Sequence, residues 1–63
     1  MEFVIGDLIV SKKDPDRKFR VVGKWNNYWN DAMLELQSLK NPEYLIKEFH
    51  KYAIQDFDKM NSP

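Results

Sequence analysis

The sequence predicts a small β-rich domain, all-β or α+β, built on an N-terminal hairpin. Three observations carry this. Leu8-Ile9-Val10 and Lys18-Phe19-Arg20-Val21-Val22 are rich in β-branched and aromatic residues and flank a polar, proline-bearing connection. Met33-Leu34-Glu35-Leu36-Gln37-Ser38 alternates apolar and polar side chains. At 63 residues, 43% of them hydrophobic, the chain has room for one domain, spanning residues 1–63, and one modest core.

Taken in order, Gly6-Asp7 is a turn signal that ends the Phe3-Val4-Ile5 run before the first strand. Lys12-Lys13-Asp14-Pro15-Asp16-Arg17 has the composition of a solvated turn. In the second strand, alternation puts Phe19 and Val21 on one face and Arg20 on the other. A hairpin alone is marginal in water, so a third strand is needed, and Leu34 with Leu36 supplies its apolar face.

The last third supports two readings. Asn41-Pro42-Glu43 can open a helix, on which Ile46, Phe49, Ala53, Phe57 and Met60 form an apolar stripe. The result would be an α+β fold, a three-stranded antiparallel sheet capped by a C-terminal helix. Alternatively Lys40-Asn41-Pro42-Glu43 is a turn, Tyr44 to Phe49 a fourth strand, and Ile54 to Met60 a tight helical turn with a short closing strand. That second reading requires the chain to bend near His50, because no single strand face stays apolar from Tyr44 to Phe57.

Composition narrows the function classes. Ten basic residues balance ten acidic ones, removing the long-range attraction behind most non-specific nucleic-acid affinity. The balance is uneven, with a net of +2 over residues 1–24 and −2 over residues 25–63. Cysteine is absent and histidine occurs once, so thiolate metal ligation, disulfides and a histidine-based zinc site are all excluded, and an intracellular setting is expected. With no basic leader and no long apolar run, the expected location is the cytoplasm, away from membranes.

The opening Phe3-Val4-Ile5-Gly6-Asp7-Leu8-Ile9-Val10, the strand ending Phe19-Arg20-Val21-Val22-Gly23 and the closing Ile54-Gln55-Asp56-Phe57-Asp58-Lys59-Met60 together resemble small SH3-like barrel proteins of bacteria and bacteriophages. The likeness covers nearly the whole chain through short motifs. It implies five short strands, which favours the strand reading of residues 44–49, and it brings no catalytic residues.

The segment Trp25-Asn26-Asn27-Tyr28-Trp29-Asn30 gathers three large aromatics within five residues. Exposed Trp and Tyr are favoured anchors for protein partners and stacking platforms for bases. We expect at least one of Trp25 and Trp29 in the core, with Trp29 folding back over an open barrel end. Lys12, Lys13, Arg17, Lys18, Arg20 and Lys24 cluster on the hairpin, where Asp14 and Asp16 weaken their field. His50 is expected to be structural, and Asp56 and Asp58 would share a face if both lay on a strand.

No catalytic constellation, metal set or cofactor motif emerges. Gly6 and Gly23 are the only glycines, too few for a phosphate-binding loop. The expected function is therefore non-catalytic: a phage or bacterial regulator or inhibitor that contacts a protein partner, in the host cytoplasm if phage-encoded. Its expected binding residues are Trp25, Tyr28, Trp29, Lys12, Lys13, Arg17 and Arg20. The alternative is a barrel that binds single-stranded nucleic acid or RNA, with the hairpin cations on phosphates.

Overall fold

The computed structural model describes residues 2–60. It is an antiparallel sheet of five strands with one short helix: β1 (Leu8–Ser11), β2 (Lys18–Asn26), β3 (Ala32–Ser38), β4 (Leu45–Phe49), α1 (His50–Asp56) and β5 (Phe57–Lys59). The strand order is β4-β3-β2-β1-β5, so β4 and β5 are the two edges and the sheet is not closed.

The turn reading of residues 40–43 holds, and the long C-terminal helix does not form. Tyr44 N–H donates to the Asn41 carbonyl at 2.8 Å, closing a turn with Pro42 at its second position. Proline suits that position as well as it suits the start of a helix. The bend expected near His50 is present: Phe49 is extended, α1 starts at His50 without a side-chain cap, and Phe57 N–H donates to the Ala53 carbonyl where the helix ends. Asp56 closes α1 while Asp58 lies in β5, so the condition for a shared strand face, both residues on one strand, is not met.

Phe3, Ile9, Phe19, Val21, Leu34, Leu36, Ala53 and Phe57 form the core, with Ile46 and Ile54 packed against it. Phe19 and Phe57 meet edge to face at 5.7 Å. The alternation read in β2 and β3 thus places Phe19, Val21, Leu34 and Leu36 on the inner face as expected.

Alternation in β2 fails after Val21. Val21 pairs with Leu36 but Gly23 pairs with Glu35, so the intervening Val22 is a bulge that shifts the register by one residue. Beyond it, Lys24 faces Leu34 on the inner side, and Trp25 faces Met33 on the outer side. Gly23 leaves room for this, since a Cβ there would stand 3.2 Å from Glu35 Cβ and 3.5 Å from the Trp25 ring.

Lys24, on the inner side, secures the N-terminal segment. Its Nζ donates to the Phe3 carbonyl at 3.2 Å and to Glu2 Oε1 at 3.3 Å. Phe3 N–H donates to Nε2 of the buried His50 at 3.0 Å, and the two rings stack with centroids 6.0 Å apart. Further along, Gly6 sits at φ 101° in a turn closed by Asp7 N–H to the Val4 carbonyl at 3.0 Å. A positive φ of this size is open chiefly to glycine. The Asp7 carboxylate accepts from Val4 N–H at 2.9 Å and pairs with Lys59 at 3.4 Å, joining this turn to β5.

His50 must be unprotonated at Nε2 to accept the Phe3 N–H bond, and protonation would set donor against donor. Burial lowers its pKa below the ordinary 6.5, the Lys24 charge adds to that lowering, and Glu2 opposes it. The unfolded chain then binds the proton more readily than the folded one. The resulting stability is full above about pH 6.5 and is lost as pH falls below that value toward the lower folded pKa. The urea midpoint should drop between about pH 7 and pH 5.5 and stay nearly flat in a His50→Gln variant, which keeps an acceptor that does not titrate. Phe3→Ala should cost about 3–5 kcal/mol, comparable to the whole stability of so small a domain, and leave the chain largely unfolded by circular dichroism.

Candidate aromatic binding surface

The loop between β2 and β3 is a tight turn organised by asparagine side chains. Asn27 Oδ1 accepts from Trp29 N–H at 2.9 Å and from Asp31 N–H at 3.0 Å. Asn30 N–H returns to the Asn27 carbonyl at 2.9 Å, and Asn30 adopts φ 65°, a left-handed conformation that asparagine tolerates better than most residues. Asn26 Nδ2 donates to Asn30 Oδ1 at 2.9 Å, and Asn27 N–H donates to the Asp31 carbonyl at 2.9 Å. The asparagines between the aromatics thus fix the turn.

That turn presents Tyr28 and Trp29 to solvent, 93% and 77% exposed, with their rings edge to face at 5.5 Å. Trp25 is 37% exposed. The expectation of a core tryptophan is therefore wrong for both. Trp29 projects from the tip instead of folding back over the core, and the bulge at Val22 turns Trp25 outward.

Trp25 does not stand alone. It is paired across β3 with Met33, and Met33 is paired across β4 with Phe49. Directly paired residues project to the same face, so the three form a row across the outer side of the sheet, next to the tip. Tyr52 of α1 extends the row, its ring 5.5 Å from that of Phe49, and Asn27 Nδ2 reaches Met33 Sδ at 3.6 Å. Lys51 Nζ stands over both rings, 5.8 Å from the centre of Phe49 and 5.3 Å from that of Tyr52. Sequence reasoning missed Met33, Phe49, Lys51 and Tyr52. Their signal is the turn at Asn41–Tyr44: it fixes Gln37 opposite Leu45 and so, four residues further along each strand, Met33 opposite Phe49.

The cationic residues lie elsewhere. β2 is nine residues long, roughly 25 Å at ~3.3 Å per residue, with the Lys12–Arg17 loop at one end and the aromatic tip at the other. Lys12, Lys13 and Arg17 line a groove of about 480 Å³ between the two edge strands, where Asp14, Glu48 and Asp56 offset their charge. Ion pairing and ring contact engage two of them: Lys12 is 3.9 Å from Asp58, and the Arg17 guanidinium lies 5.4 Å from the Phe19 ring centre. Arg20 projects from the outer face beside Gln37, two β2 rows from the bulge. The structure therefore brings Trp25, Tyr28 and Trp29 into one region and leaves Lys12, Lys13 and Arg17 in another.

On β4, the Glu48 carboxylate accepts from Phe49 N–H at 2.9 Å. Ser38 N–H donates to the Tyr44 carbonyl, which sets the ladder so that the backbone of residues 45, 47 and 49 points away from β3. Among the described residues there is no group of three or more His, Cys, Asp or Glu that could hold a metal ion, and no helix long and apolar enough to cross a membrane.

Asn27→Ala should cost about 1 kcal/mol and free the tip, since two backbone donors lose their shared acceptor. In a Trp25→Phe background, the fluorescence anisotropy of Trp29 should fall in the Asn27→Ala variant while far-ultraviolet circular dichroism stays unchanged. Compared with family models, curated proteins and solved structures, the chain has no significant match among any of the three.

Proposed function

We propose that this domain is a small SH3-like barrel, left open between β4 and β5, that works by binding another protein through its aromatic tip. Five short strands within the described residues, a meander from β1 to β4, and a helical turn before a short closing strand support the fold assignment.

The binding assignment rests on one observation: Tyr28 and Trp29 are held almost fully exposed on a turn that Asn27 fixes. Leaving two large aromatics in water is unfavourable unless a partner covers them, and a fixed turn reduces the entropy lost when that happens. Such residues dominate binding energy at protein interfaces. A regulator or inhibitor of a larger bacterial or phage protein is the role that fits a non-catalytic chain of this size.

Single-stranded nucleic acid is the second reading, and the charge layout disfavours it. The cations expected to meet phosphates sit at the far end of β2 from the aromatics and face carboxylates in their own groove. Phosphate affinity and base stacking would have to converge on one surface.

In affinity purification from a bacterial lysate, the wild-type domain should retain a specific protein that a Tyr28→Ala/Trp29→Ala variant loses, with a Lys12→Ala/Lys13→Ala variant retaining it. Loss of one of these aromatics at a hot spot should weaken the complex by about 2 kcal/mol or more. Retention by the aromatic double variant would reject the tip as the site. Binding to labelled single strands that weakens steeply with salt would favour the nucleic-acid reading instead.

A further inference from the structure

We propose that the outer face of β2–β3–β4, continuous with the tip, docks an acidic amphipathic helix of the partner protein. This rests on the protein-binding reading above and names the class of segment the surface takes.

The apolar row Trp25–Met33–Phe49 runs across the strands, not along them, and Tyr52 continues it. Neighbouring strands lie about 4.8 Å apart, close to the ~5.4 Å pitch at which one stripe of a helix repeats. A helix laid across the strands can therefore set one apolar residue per turn against each member of the row. An extended peptide repeats on one face every ~6.6 Å and falls out of step.

Charge selects the sign of the helix. Lys47 precedes Phe49 by two residues on the outer face of β4, and Lys51 stands over the Phe49 and Tyr52 rings. Neither is in any of the three ion pairs formed among the described residues, which engage Lys12, Lys24 and Lys59. Glu35, opposite Lys47, turns toward Gly23: its Oε1 lies 3.6 Å from where a Gly23 Cβ would stand. Two ammonium groups thus border the row on the β4 and α1 side, where carboxylates on the flank of a docked helix would meet them. Bases are poorly served here, because the Lys51 ammonium already covers ring faces on which a base would stack.

The probe is a displayed library of random peptides selected on the intact domain. Enriched peptides should be apolar and acidic with helical spacing, and a synthetic copy should gain helical ellipticity on binding. In a Trp29→Phe domain, that peptide should shift Trp25 emission to the blue, showing that the outer face is covered. A Lys47→Glu/Lys51→Glu domain should bind it at least about tenfold more weakly and should select basic peptides instead.

The inference is overturned if nothing is enriched, if charge reversal leaves affinity and selected sequences unchanged, if Trp25 emission does not move, or if an oligothymidylate binds more tightly than any peptide. A peptide lost with Tyr28→Ala/Trp29→Ala but indifferent to charge reversal would keep the tip as the site and remove only the helix-docking face. Indifference to both variants would remove both.

Discussion

The bulge at Val22 decides how the rest of this small sheet is used. A strand that alternated without interruption would carry Phe19, Val21, Gly23 and Trp25 on one face, and the indole would enter the core. One inserted residue exchanges the faces beyond it, so Trp25 moves outward and Lys24 moves inward. Both consequences matter. The inward lysine reaches the end of the core, where its ammonium holds the Phe3 carbonyl and Glu2. The outward indole starts the row that Met33 and Phe49 complete.

Closure of the core at that end is a second dependence. Phe3 lies outside every strand, yet its ring is fully buried and both of its backbone polar groups are engaged, the N–H by His50 and the carbonyl by Lys24. Buried backbone donors and acceptors need partners, and a segment outside the ladder cannot draw them from a neighbouring strand. The single histidine supplies one partner from α1 and the bulge-displaced lysine the other. His50, expected to be structural, thus acts as a buried acceptor, and its ring is stacked against Phe3.

What the sequence revealed follows from how local its signals are. The hairpin strands and the Leu34–Leu36 face depend on alternation and turn chemistry within a few residues, and both were legible; the proline turn at residues 40–43 was one of two readings, because proline serves a helix start equally well. The bend at His50 was legible only as a condition, because an apolar face had to be kept across it. The bulge was missed although Gly23, an isolated glycine inside a strand, is a signal for one, and the orientation of Trp25 was misjudged with it. Likewise Phe49 read as part of a helical stripe until strand pairing set it beside Met33. Charge clustering misled in a different way: Lys12, Lys13 and Arg17 are near Trp25 in sequence, but a strand of nine residues carries them to the opposite end of the domain.

An open sheet has two edges, and each is a template on which another chain can crystallise into unwanted order. β5 is only three residues long, with its first N–H already spent on α1. β4 is longer, but Glu48 occupies the Phe49 N–H with its own carboxylate, and the outward-pointing backbone that remains is centred on Lys47. A short, charged, partly self-capped rim resists strand-on-strand growth into fibrils. Margins built this way offset the association risk that exposed aromatic side chains bring to so small a sheet.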